Sequence, residues 1–210
     1  MKFRNCPIWV NDALLYCSAL CVFIGIAAHF SNIYGRNGSQ PAIKRTGDEA
    51  DIVRKAFQIK SNQAAVIEFM DFQCPPCRAS WPRIKKFIEA HPDVAYRNAN
   101  YPLSMHRFAF DAAVASLIGD AHGLHDQVFE DLFTGKTDLD PKSLNKYLSL
   151  HHLPAILGSS SDGTYRAAVR ASRELGDRLH IAGTPTLLVL SKSGVLTEVR
   201  SINVLEDYLR

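Results

Sequence analysis

The 210-residue chain reads as an α/β domain: a strand–helix–strand start, a block of helices, a strand hairpin and a closing helix. Three observations predict this order. Ala64 to Met70 reads as a buried strand carrying one carboxylate, Glu68. Asp71-Phe72-Gln73 then connects it to Cys74-Pro75-Pro76-Cys77, after which Ile84, Phe87 and Ile88 fall at helical spacing. Later, the helical period that runs from Met105 to about Ile181 gives way to a short apolar strand at Thr186 to Ser191.

The remaining elements follow in order. Asp48 to Ile59 reads as a short amphipathic helix with Ile52, Ala56 and Phe57 on one face. Pro75 to Ala90 is the first main helix, ended near His91-Pro92, and Val94 to Asn98 is a second strand. In the helical block, Phe108, Ala112, Ala115 and Leu117-Ile118 mark one helix, and Leu124, Val128, Phe129 and Leu132 another. Asp140-Pro141 is an N-cap with proline at the first helical position, followed by Leu144, Tyr147 and Leu148. Asp162 opens a further helix with Tyr165, Val169 and Leu175. Ser193-Gly194 turns into a strand at Leu196 to Arg200, and Val204 to Leu209 closes the chain as a helix.

Composition narrows the function classes. At 47% apolar residues the chain has enough for a real core, and its net charge of +3 is small. No basic run is interleaved with aromatics, so nucleic-acid binding is not indicated. The N-terminal 30 residues read as an export or anchoring signal. Lys2 and Arg4 precede Ala13 to Phe30, a stretch free of charged residues if His29 is neutral. Its 18 residues reach the lower bound for a spanning helix, roughly 17–25, and exceed the usual ~7–15 of a cleaved signal core. No clean cleavage site follows, so an uncleaved membrane anchor over residues 13–30 is favoured over a cleaved signal that would leave a soluble periplasmic protein. Signal logic puts the domain outside the cytoplasm. Residues 31–47, rich in Gly, Asn, Ser and Pro, read as a linker.

Cys6, Cys17 and Cys21 lie in the first segment, which leaves Cys74 and Cys77 as the only pair in the domain. That excludes a structural disulfide framework there. A C-x-x-C at a strand-to-helix junction is the setting of a redox dithiol. A sulfur at position 74 faces free backbone N–H groups at the helix start, so Cys74 is assigned as nucleophile and Cys77, one turn on, as resolving thiol. A zinc site needs about four ligands, and no second C-x-x-C exists to complete one. Glu68, buried in a strand, is expected to be neutral or water-linked with a raised pKa, unless that strand is an edge facing solvent. Arg78 reads as an exposed helix arginine, Trp81 as core, and His106 has no assigned place.

These residues resemble the DsbA-like branch of the thioredoxin superfamily over residues 48–210. The resemblance rests on Glu68-Phe69-Met70-Asp71-Phe72-Gln73-Cys74-Pro75-Pro76-Cys77, on Tyr101-Pro102-Leu103 and on Gly183-Thr184-Pro185-Thr186. It implies a thioredoxin fold with an inserted helical subdomain at about 105–181, preceded by a transmembrane or signal segment. It also implies a cis Thr184–Pro185 bond beside the cysteines, with Thr184, Pro185, Pro75 and Pro76 flanking the substrate, and a Glu68 that shuttles a proton to or from Cys77. The expected activity is thiol–disulfide exchange on cysteine-containing exported proteins, without a bound cofactor or metal, recharged by a membrane redox partner. A reductase serving metal or haem loading and a non-catalytic chaperone-like module are the rivals. Where the resembled oxidases often carry histidine, this chain has Pro76, which supplies neither an amide nor a ring donor to Cys74.

Overall fold

A computed structural model describes residues 42–209. The anchor read at 13–30, most of the linker, and Cys6, Cys17 and Cys21 lie outside the described residues. Strand β1 (Ile43–Lys44) and helix α1 (Gly47–Ala56) lead into β2 (Ala65–Met70) and α2 (Pro75–Ala90), then β3 (Ala95–Asn100). Helices α3 (Ala109–Ala121), α4 (His125–Thr134), α5 (Pro141–Leu150) and α6 (Gly163–Arg178) follow, and β4 (Thr186–Leu190) and β5 (Leu196–Val199) complete the sheet.

Strand β2 is the centre of the molecule. All six of its residues are buried because it lies between two strands and under helices on both faces. The sheet order is β1-β5-β4-β2-β3. β2 pairs with β3 in parallel and with β4 antiparallel, Glu68 lying opposite Asn98 on one side and Leu187 on the other. Strand alternation sends Ala65, Ile67 and Phe69 into a core shared with Ala50 and Val53 of α1 and with Leu179. Val66 packs with Ile84 and Phe87 of α2, and Met70 joins the core of the helical block. Full burial of each large apolar side chain contributes ~1.5–3 kcal/mol, so this short strand is a main source of stability.

The helix starts are chemically marked. Thr46 and Glu49 form a reciprocal capping box on α1. Asp140 accepts from the amides of Lys142 and Ser143, with Pro141 at the first position of α5. At α6, Gly176 lets two elements meet: a Cβ there would lie 2.5 Å from Cε2 of Tyr101.

Several expectations need correction. Ile43–Lys44, inside the stretch read as linker, form an edge strand antiparallel to β5. The buried residues of α1 are Ala50 and Val53, whereas Ala56 is exposed. Helix α6 reaches both cores: Val169 packs into the helical block and Leu175 against the sheet. The closing helix is a 3-10 turn over Ile202–Tyr208.

Candidate active site

The site is built where β2 hands over to α2. Cys74 is the N-cap residue of α2, in extended backbone geometry, and Pro75 and Pro76 occupy the first helical positions. Proline is well placed there, since the first helical N–H groups have no intrahelical partner. Its consequence is chemical. The two prolines remove two amides from the helix start, so the amide of Cys77 is the first one left to face the Cys74 sulfur. Arg78 N already closes the first helical turn onto Cys74 O at 3.1 Å.

The two thiols are free and differ sharply. Cys74 is 3% exposed and Cys77 fully enclosed. The Cys74 thiol is drawn down to about 6, chiefly by a hydrogen bond from the Cys77 thiol; burial opposes this, and the Thr184 side chain and the Cys77 amide add to it. The Cys77 thiol is pushed far up, first by its bond to Cys74 and then by burial. At neutral pH one proton is therefore shared by the pair and the charge rests on Cys74, the sulfur nearer the surface.

The Thr184–Pro185 peptide is cis, and its loop lies against the nucleophile. Cys74 Sγ lies 3.2 Å from Thr184 O, to which it donates in its thiol form. The Thr184 hydroxyl is buried without another protein partner, which leaves it available to donate to a Cys74 thiolate. Pro75 and Pro76 are exposed beside it. The structure thus brings together Cys74, Cys77, Pro75, Pro76, Thr184 and Pro185.

Glu68 lies beneath this pair, on the face of β2 toward α2. It is 1% exposed, and burial raises its carboxyl to about 7 against the lowering effect of a hydrogen bond from Tyr96. Tyr96 Oη donates to Glu68 Oε2 at 2.5 Å. The strand is central, so the edge-facing alternative for Glu68 does not hold.

Other site groups had no sequence signal. Asp71 is buried and accepts from the amides of Gln73 at 2.7 Å and Leu103 at 2.8 Å, and it pairs with His106 Nδ1 at 2.8 Å. It thereby ties the 101–106 loop to the connection that presents Cys74. Arg78 is half-buried, not the exposed helix arginine expected. Its Nε donates to Phe72 O at 2.7 Å and its Nη2 to Leu132 O at 3.2 Å, which anchors the helix start to α4. Trp81 stacks on Phe133 at 5.4 Å between ring centroids, a core role. Among the described residues, no group of three or more His, Cys, Asp and Glu side chains is arranged to hold a metal ion, and no helix is long and apolar enough to cross a membrane.

Solved structures share this architecture. The catalytic domain of Proteus mirabilis ScsC matches with a TM-score of 0.61 at 19% identity, over 79% of this chain and 97% of that one. Pseudomonas aeruginosa DsbA2 matches at 0.54 and 19% identity, over 71% and 88%. The oxidoreductase DsbA of Xylella fastidiosa matches at 0.55 and 18% identity, over 71% and 85%. No protein-family model matches the chain. Two curated proteins are 26% identical over 127 residues: Na(+)/H(+) antiporter NhaA 3 of Salinispora tropica and NhaA 1 of Salinispora arenicola. The match takes in 59% of this chain but only 20% of each antiporter, so the chain spans about a fifth of the length of these relatives.

Proposed function

We propose that the chain is an extracytoplasmic, membrane-anchored thiol–disulfide oxidoreductase that forms or reshuffles disulfides in exported proteins. The observation that carries this reading is the asymmetry of the pair, an ionisable Cys74 near the surface over an enclosed Cys77.

The roles follow from that asymmetry. Cys74 exchanges with a substrate sulfur and forms the mixed disulfide. Cys77 closes the internal disulfide, and the substrate leaves as a thiolate. An extended cysteine peptide lies along the Thr184–Pro185 loop, over Pro75 and Pro76, in the manner of an added strand. Glu68 exchanges a proton with Cys77. A membrane redox partner resets the pair, and residues 13–30 hold the chain at the membrane.

A Cys74 value of about 6 falls between the ~7 of thioredoxin and the ~3.5 of the strongest oxidant. Oxidation, isomerisation and the rival role in metal or haem loading are all compatible with that value, and the reduction potential against glutathione separates them. Nothing specific favours the chaperone-like rival. The test uses the full chain with Cys6, Cys17 and Cys21 replaced by serine. Cys74→Ser abolishes exchange with a model disulfide, and Cys77→Ser accumulates mixed disulfides. Unimpaired exchange in Cys74→Ser overturns the assignment.

A further inference from the structure

The proton has a problem that the electrons do not. Resting on the redox reading of Cys74 and Cys77, either direction of exchange requires Cys77 to lose or gain one proton, and Cys77 is fully enclosed. Glu68 lies close enough for its charge to raise the Cys77 pKa. Yet Glu68 is itself 1% exposed and cannot hand a proton to bulk water directly.

Tyr96 joins these groups to the outside. It stands on β3 two residues before Asn98, the residue opposite Glu68, and reaches diagonally across the pair of strands. Its hydroxyl is within 2.5 Å of the Glu68 carboxylate. The same side chain lines a cavity of about 500 Å³ between α2 and α4, walled by Trp81, Lys85 and Ile88 on one side and by Phe129 and Glu130 on the other. One residue therefore touches both the sealed carboxylate and a space that opens to solvent.

We infer that the Tyr96 hydroxyl carries the proton between Glu68 and water in this cavity. On closure of the internal disulfide, Cys77 gives its proton to the Glu68 carboxylate. The Cys77 thiolate attacks Cys74 Sγ, the Cys74–Cys77 bond forms, and the bond to the substrate sulfur breaks with its electron pair. Glu68 takes up the Cys77 proton only as it passes one on to the Tyr96 oxygen and the hydroxyl proton leaves for the cavity, so the relay belongs to the release step itself, and Tyr96 ends as it began. The reverse sequence protonates Cys77 when the internal disulfide is opened. The Tyr96 pKa is raised well above its ordinary value, first by burial, so a phenolate intermediate is disfavoured and the two transfers are concerted.

The charged groups around the relay come from both helices. Cys74 and Cys77 face Glu68 from the start of α2, and Lys85 and Glu89 border the cavity further along it. His125, Asp126, Glu130 and Asp131 of α4 border it opposite, with Lys136 beyond. Two pairs among them are tied, Lys85 to Glu130 at 3.3 Å and Lys136 to Asp131 at 2.5 Å, and with Glu89 and Asp126 added the mouth carries more acidic than basic side chains.

Tyr96→Phe keeps the ring and removes the hydroxyl. The measurement is the rate at which Cys77 releases a mixed disulfide, followed from pH 5 to 10 in the full chain with serine at positions 6, 17 and 21. Two effects separate. Loss of the hydrogen bond alone moves the midpoint of the profile upward, because that bond lowers the Glu68 pKa. Loss of the relay also lowers the plateau above the midpoint, by about tenfold or more for a proton-transfer group. Adding Tyr96→Phe to Glu68→Gln should then slow release no further. A lowered plateau supports the relay; an unchanged plateau, with or without a moved midpoint, overturns it. Should Tyr96→Phe fail to fold, the unsubstituted protein still decides. A curved dependence of the release rate on deuterium content signals two protons in flight, and a straight one overturns the relay. If the unsubstituted protein forms no mixed disulfide at all, the redox reading itself has failed, a result distinct from either.

Discussion

Ala65, Ile67 and Phe69 point to one side of the central strand, and Val66, Glu68 and Met70 to the other. On the first side every β2 side chain is apolar, and Phe69 meets Phe57 and Tyr101 edge-on at 6.4 and 6.1 Å between centroids, with the Tyr101 hydroxyl satisfied by Asp177 and Ile181 O. The second holds a buried carboxyl, its tyrosine partner and two thiols. A single residue, Glu68, makes the difference. Burying an ionisable group opposes folding, so the dry face supplies stability that the wet face spends on chemistry. Substitutions on the dry face should therefore change how much protein is folded, and those on the wet face what the folded protein does.

The largest expected effect breaks the dry side. Phe69→Ala removes a fully buried ring and leaves a cavity between β2, α1 and α6. Such truncations cost roughly 3–5 kcal/mol. Denaturant unfolding should show that loss, while exchange per folded molecule stays near the original rate. A rate that falls as steeply as stability would mean the two faces are not separable.

Glu68→Gln tests the other side, and the sign can be worked out. Burial raises Glu68 from an ordinary 4.5 to about 7. The folded state therefore holds this proton more tightly than the unfolded chain. The stability this confers is fully present below about pH 4.5 and is lost as pH rises toward 7. The shift corresponds to about 3 kcal/mol. Cys74 acts in the opposite sense at higher pH: its lowered value adds stability that is lost as pH falls through about 6. The difference between the unsubstituted and Glu68→Gln proteins isolates Glu68. It should grow in favour of the glutamine protein between pH 4.5 and 7, then level off. A difference that does not change with pH would mean Glu68 is not enclosed.

Much of this was legible in the chain because it is carried by local pattern. β2 and α2 begin and end within a residue of where the apolar run and the helical period place them, and the strand-to-helix junction at Cys74 follows from those two periods. What stayed hidden is carried by contacts between distant residues. β1 is two residues long and exists only by pairing with β5, so it has no period to read. Arg78 finds its acceptors on Phe72 and Leu132, the latter 54 residues away. His106 meets Asp71 across 35 residues and Tyr96 meets Glu68 across 28. No motif marks such partners. The one available signal was Glu68 itself, since a buried carboxyl calls for a donor, and β3 as the parallel neighbour of β2 was the place to look for it.

The smallest expected effect sharpens the comparison at the surface end of the wet face. Cys74 is stabilised as thiolate by Cys77 and Thr184, with no help from Pro75 or Pro76. Pro76→His would restore an amide at the helix start and add a ring donor. Either favours the thiolate, and what favours the reduced dithiol makes the disulfide a stronger oxidant. Pro76 is exposed, so water screens the added donor and the gain stays small. A drop of one pKa unit at Cys74 corresponds to about 1.4 kcal/mol and raises the potential by roughly 30 mV. A glutathione redox titration of both proteins, with thiolate absorbance followed against pH, reads the two quantities together. A lowered Cys74 pKa with an unchanged potential would place control of the poise in the oxidised state. If neither quantity moves, the inner pair, Cys77 and Thr184, sets the poise alone and the two intervening prolines are spectators to it.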